Sequence, residues 1–242
     1  KLFEENQLEI TILHIYGAHS TALMMKSIDG ILIKEAEKQL GDLIKEMQAE
    51  APNVTFKTKL AKNYAASTIS TMGDSGYFDF IVMGTKGVSG LKEVFIGSVA
   101  GGVISKTSAP VIVVPLDYKF TDLDNVVFAL GDTNISKTST LEPLRQIVEN
   151  HKSNLEVVHI SDNGKPDLEA TIKSIADLNP KISNKKSDGD LNQQLNVHIN
   201  NKDTDLLCLL RTKKDFFDRI FSSSVTLKQT FNSPVPLLVL HN

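Results

Sequence analysis

Two glycine clusters carry the most direct chemistry in this chain: Gly84-Thr85-Lys86-Gly87 and, nine residues later, Gly97-Ser98. Glycine has no Cβ, so the backbone can turn tightly there and come close to a ligand. A helix that opens at Gly97-Ser98 presents N–H groups with no intrahelical acceptor, together with the positive end of its dipole. The N–H groups of Val99 and Ala100 and the Ser98 hydroxyl add donors for anionic oxygens. The spacing therefore predicts a phosphate cradle. Lys86 either adds charge to it or stands solvated, and Thr85 is equally open. The same glycines also suit helix–sheet packing with no ligand at all.

Elements on either side must hold these glycines in place. Phe80–Met83 is a short apolar run bounded by glycine, the pattern of a buried strand. A helix is expected over Val99–Thr107, stopped by Pro110, with Val111–Val114 as the next buried strand. Upstream, Leu8–Ile15 reads as a strand and Ser27–Glu50 as a long helix with Ala36, Leu40, Leu43, Ile44 and Met47 as its apolar stripe. Val54–Leu60 follows as a strand, and Tyr64–Asp74 as a short helix. Alternating strands and helices call for a parallel sheet, with ligands at the carboxyl ends of its strands. Ile15 and Met83 end two such strands.

Composition removes several classes. The chain has 242 residues and a formal net charge of −3, so it carries no basic footprint for nucleic acid or an anionic membrane. No apolar run reaches the roughly 20 residues that span a bilayer. The one cysteine, Cys208, fits a reducing, cytoplasmic compartment and reads as a core residue within Leu206–Leu210. The six histidines form no ligand set, and no paired-cysteine zinc spacing occurs. Neither a G-x-S-x-G elbow nor a G-x-x-x-x-G-K-[ST] loop is present. The H-x-G-H and S-G-G-x-D-S motifs of adenylyl-transferring enzymes are absent too, which disfavours that activity.

After a polar stretch over Leu116–Asp124, read as a linker, the pattern restarts. Strands are expected at Val126–Leu130, Leu155–Ile160, Lys181–Ser187, Leu206–Leu210 and Pro236–Leu240. Helices are expected at Thr138–Asn150, Asp167–Leu178, Leu191–Asn200 and Ser224–Phe231. A shift of 126 residues superposes Asp79 on Asp205, Phe95 on Phe221, Ser98 on Ser224, Val99 on Val225, Pro110 on Pro236 and Val113 on Val239. A shift of 145 puts His14 on His159. A period this long indicates duplicated domains rather than a solenoid. The second copy begins its first strand near Asn125, so the matching strand of the first copy is expected some twenty residues before Lys1.

The spacing G-x2-G-x9-G-[ST] between a strand and a helix, with Ala109-Pro110-Val111-Ile112-Val113-Val114-Pro115 behind it, resembles the nucleotide loop and last strand of the universal stress protein family. The resemblance implies an α/β fold of two tandem Rossmann-like domains, residues 1–117 and 122–242. Each would have an open parallel sheet with helices on both faces, and the two would pair pseudo-twofold through their last strands. It implies ATP or AMP binding by Ile15, Met83, Gly84, Gly87, Gly97, Ser98, Val99 and Ala100, with Mg accompanying ATP. It also implies a sensor or regulator of a stress response, with at most slow hydrolysis, since no residue stands as a general base. In the family the first strand ends in an Asp that meets the adenine or ribose side. A homodimer is a further possibility, with no nucleic-acid or membrane partner. An interaction scaffold with an empty first site is the competing reading.

The second copy has lost the loop. Leu210 falls on Gly84, Lys213 on Gly87 and Ser223 on Gly97, while Ser224 is retained. Gly131 or Asp132 stands where its Asp is expected. Side chains now occupy positions where backbone would approach phosphate, so this copy is not expected to bind nucleotide. Phe216 and Phe217 are expected to fill the vacated space or pack on the partner domain, with recruitment of another protein as the lesser use.

Overall fold

The computed structural model describes residues 2–3, 8–16, 25–62, 64–85, 97–131, 135–161, 168–186, 195, 198, 203–212 and 233–242. The chain divides into two compact units, Lys1–Thr68 and Ile69–Asn242.

In the first unit, β1 (Glu9–Tyr16) and β2 (Thr55–Lys62) pair in parallel, from Glu9 opposite Thr55 to Tyr16 opposite Lys62. Lys57 Nζ lies 2.6 Å from Glu9 Oε2 across this pair. Between them runs α1 (Met25–Glu50). Ala36 and Leu40 are buried as the stripe requires, but Leu43 is 41% exposed, a departure from the predicted inner face. The helix ends before Pro52, and the Gln48 amide donates to the carbonyls of Ala51, Pro52 and Val54 at 3.3, 3.1 and 3.1 Å. Those bonds hold the turn that leads from α1 into β2. The helix α2 (Ala65–Gly73) runs across the division between the units.

The second unit is built on a seven-stranded sheet. Its strands are β3 (Ile81–Gly84), β4 (Val111–Val114), β5 (Asn125–Leu130), β6 (Asn154–Ser161), β7 (Lys181–Lys186), β8 (Leu206–Arg211) and β9 (Leu237–His241). Their order is β3-β4-β9-β8-β5-β6-β7, and every neighbouring pair is parallel except β4–β9. That antiparallel pair is the predicted junction of the last strands. The unit's described helices include α3 (Ser98–Ile104), α4 (Glu142–His151) and α5 (Glu169–Ser174). α4 buries Leu144, Ile147 and Val148. Gly76 takes φ +77°, the left-handed turn before β3 that glycine adopts without penalty.

The repeat is visible in the strands. β1 moved by 145 residues coincides with β6, and β4 moved by 126 begins with β9 at Leu237. The difference between the two shifts is absorbed near α1, which has 26 residues where α5 has six. In the second repeat, β5 lies between β6 and β8. Among the described residues no strand of the first repeat corresponds to β5. Accordingly, β3 has β4 as its one neighbour, and Val82 is 63% exposed where its counterpart Cys208 is 0% exposed. No described helix is long and apolar enough to cross a membrane. The predicted helices at Leu191–Asn200 and Ser224–Phe231 lie wholly or largely outside the described residues, although Leu195 and His198 are helical.

Candidate functional site

The described residues of the expected cradle lie at the end of β3 and the start of α3. β3 ends at Gly84, opposite Val114 of β4, and the Thr85 N–H donates to the Val114 carbonyl at 3.1 Å. The chain re-enters at Gly97, the residue that caps α3 with φ −55° and ψ 156°. A Cβ placed on Gly97 would stand 2.5 Å from the Thr85 carbonyl oxygen. No side chain fits there without moving backbone. Glycine is therefore required at position 97 for a close approach, its φ being ordinary for any residue. Gly84 is different: among the described residues a Cβ there would meet nothing nearer than the Val114 carbonyl at 3.9 Å.

The first i→i−4 bond of α3 runs from the Gly101 N–H to the Gly97 carbonyl at 2.9 Å. The N–H groups of Ser98, Val99 and Ala100 thus precede the helical ladder and have no acceptor within it. Ser98 and Val99 are exposed, whereas the Ala100 side chain is buried at 1% and anchors the first turn. Met83 is half-buried on β3. The structure brings Met83, Gly84, Gly97, Ser98, Val99 and Ala100 into the second unit. Ile15 is the penultimate residue of β1 in the first unit, half-buried. Gly87, Lys86, Asp132, Lys213, Phe216, Phe217, Ser223 and Ser224 lie outside the described residues. Among the described residues no cluster of His, Cys, Asp and Glu has the makings of a metal site.

The second repeat shows what replaces the loop. Leu210 occupies the Gly84 position and is buried, and Arg211 stands where the first repeat has Thr85. Gly131 is buried at the end of β5.

Two groups of residues around α3 were not anticipated. Asp74, just past α2, accepts bonds at one carboxylate oxygen from the Thr107 hydroxyl at 2.8 Å, the Ser108 N–H at 2.7 Å and the Ser108 hydroxyl at 2.9 Å. Burial pushes its pKa up, but these bonds and the Ala109 N–H outweigh it and hold the carboxyl below its usual 3.8. Asp74 thereby ties the end of α2 to the segment that leads from α3 into β4. Second, Arg211 and His241 both reach the Ile104 carbonyl at the end of α3, at 3.1 and 2.9 Å. Burial lowers the His241 pKa below 6.5, and the nearby Arg211 charge lowers it further, so the imidazole is neutral and its Nε2–H donates. These partners are 33 or more residues apart in the chain, and no local pattern marks them.

Residues 1–115 match the family model described as the universal stress protein family. A universal stress protein of Methanocaldococcus jannaschii is 36% identical over 83 residues, covering 34% of this chain and 48% of that relative. The Bacillus subtilis universal stress protein YxiE is 29% identical over 126 residues, 47% of this chain and 83% of its own length. The chain spans about half the length of the first of these relatives. Among solved structures, a universal stress protein from Archaeoglobus fulgidus aligns with a TM-score of 0.71 at 18% identity, over 99% of this chain and 88% of that one. A putative universal stress protein from Pseudomonas aeruginosa aligns with a TM-score of 0.61 at 13% identity, over 98% and 94%. At these identities the structural likeness is one of fold.

Proposed function

We propose, starting from the fact that residues 1–115 belong to the universal stress protein family, that the first repeat binds an adenine nucleotide, ATP or AMP. The single observation that carries this is the seat of Gly97. Its missing Cβ lets the start of α3 lie against the Thr85 carbonyl, beside N–H groups that the helix leaves without acceptors. Phosphate oxygens suit those donors, with Mg accompanying ATP. Met83 would then line the base or ribose. Gly87 completes the loop in this reading.

The second repeat is the non-binding half of a tandem pair. Its Leu210 and Arg211 place side chains where the first repeat has Gly84 and Thr85. The chemistry proposed is recognition, with hydrolysis slow at most. A protein that holds a nucleotide without rapidly consuming it suits a sensor or regulator in a stress response. Titration of the chain with ATP and with AMP, each with and without Mg, tests the reading. A chain that binds neither is the scaffold alternative.

A further inference from the structure

We propose that Arg211 and His241 are positioning residues for the first repeat: the second repeat uses them to clamp the end of α3 opposite the proposed phosphate donors. This rests on the nucleotide-binding reading for its functional consequence, though the clamp itself is geometric.

The last turn of α3 shows why a clamp is needed. A helix end leaves carbonyls with no partner in the ladder. Here Gly101 O takes the Ser105 N–H at 3.0 Å, and Gly102 O takes the Ser105 hydroxyl at 3.0 Å. Val103 O takes the N–H groups of Lys106 and Thr107, both at 2.9 Å. Local residues thus satisfy three carbonyls. The fourth, Ile104 O, receives the Arg211 guanidinium at 3.1 Å and the His241 Nε2–H at 2.9 Å, both from the other repeat. Arg211 and His241 are register partners on β8 and β9, so the two donors converge from adjacent strands. A cation at a helix C-terminus also matches the helix dipole.

The position of Arg211 adds to this. It replaces Thr85, whose carbonyl abuts Gly97 in the first repeat. The residue that would border the second cradle instead holds the far end of the first cradle's helix. α3 is seven residues long, so a shift at Ile104 is carried to Ser98 within two turns. The loss of one site and the support of the other are then one substitution pattern.

The test uses the full chain, with hydrogen exchange at the amides of Ser105, Lys106 and Thr107 and titration with Mg-ATP. In Arg211→Ala we expect those amides to exchange at least tenfold faster while the amides of β5 are unchanged. ATP affinity should fall about tenfold, the scale of one charged hydrogen bond at 1.4 kcal/mol per factor of ten. Arg211→Lys, which keeps a cation at the helix end, should recover part of both. Unchanged exchange in Arg211→Ala overturns the clamp. Faster exchange with unchanged affinity overturns the positioning role. If the wild-type chain binds no ATP, the nucleotide reading fails separately, and exchange alone decides whether the clamp exists. Where Arg211→Ala does not fold, the pair His241→Gln and His241→Leu serves: Gln can still donate to Ile104 O and should exchange more slowly than Leu, and equal exchange counts against the clamp.

Discussion

Ile112 and Leu238 face each other at the centre of the antiparallel β4–β9 pair, and they are also each other's counterparts in the repeat. They lie 126 positions apart, the offset that superposes the two copies. The flanking pairs, Val111 with Val239 and Val113 with Leu237, exchange under the same offset. A local twofold axis therefore passes between Ile112 and Leu238, inside one chain. Each side chain is buried, at 3% and 0% exposure.

We expect Ile112→Ala and Leu238→Ala each to cost about 2–4 kcal/mol of unfolding free energy, the range for truncating a buried aliphatic side chain. Because the two residues face each other, the double variant should depart from additivity by about 0.5 kcal/mol or more. Urea unfolding of the four chains measures the cycle. Strict additivity would mean that the sheet does not run through this pair.

Two titrations should shape stability at low pH. His241 has its folded pKa lowered, chiefly by burial, so the unfolded chain takes up a proton first. Its contribution is present above 6.5 and is lost as pH falls below that value. Asp74 is lowered too, since its bonds outweigh its burial, and its contribution is lost as pH falls below 3.8. His241→Gln should flatten the first decline and Asp74→Asn the second. Asp74→Ala should cost about 1 kcal/mol at neutral pH, a modest value because the carboxylate is exposed. Unfolding curves at a series of pH values separate the windows, and an unchanged profile in either variant counts against its assignment.

Cys208 is fully buried on β8, and burial raises its thiol pKa well above the ordinary 9.0. A buried, protonated thiol is a poor nucleophile. We expect no reaction with a thiol reagent in the native chain at neutral pH and one equivalent after denaturation. Rapid labelling of the native chain would show that β8 opens readily.

Much of this fold was legible because its cues are local. The apolar runs at Leu206–Leu210 and Val111–Val114 are continuous and short, and each is a buried strand. The offset of 126 residues marked β4 and β9 as equivalent last strands, and the family resemblance supplied the expectation that they pair. What was not legible depends on distance in the chain. The Asp74 bonds to Thr107 and Ser108, and those of Arg211 and His241 to Ile104, join residues that only folding brings together. Leu43 shows the limit of periodicity: its spacing suits the inner face, yet it stays 41% exposed. At the glycines, spacing does not tell which position lacks room: among the described residues a Cβ meets nothing nearer than 3.9 Å at Gly84, and the Thr85 carbonyl at 2.5 Å at Gly97.

That contrast gives a paired expectation. Gly84→Ala should fold and cost less than about 1 kcal/mol, since among the described residues the added methyl meets only an ordinary contact with the Val114 carbonyl. Gly97→Ala should cost more, about 1–3 kcal/mol, because backbone must shift to admit the methyl. Thermal unfolding of the two variants ranks them, and a reversed order would contradict the packing described at Thr85.

Titration of the chain with Mg-ATP and with AMP, beside Gly97→Val, bears most directly on the nucleotide site. The wild-type chain should bind, and the valine, forced against the Thr85 carbonyl, should weaken binding at least tenfold in a variant whose circular dichroism remains native. No binding by the wild-type chain, or equal binding by the valine variant, would contradict a nucleotide site at the start of α3.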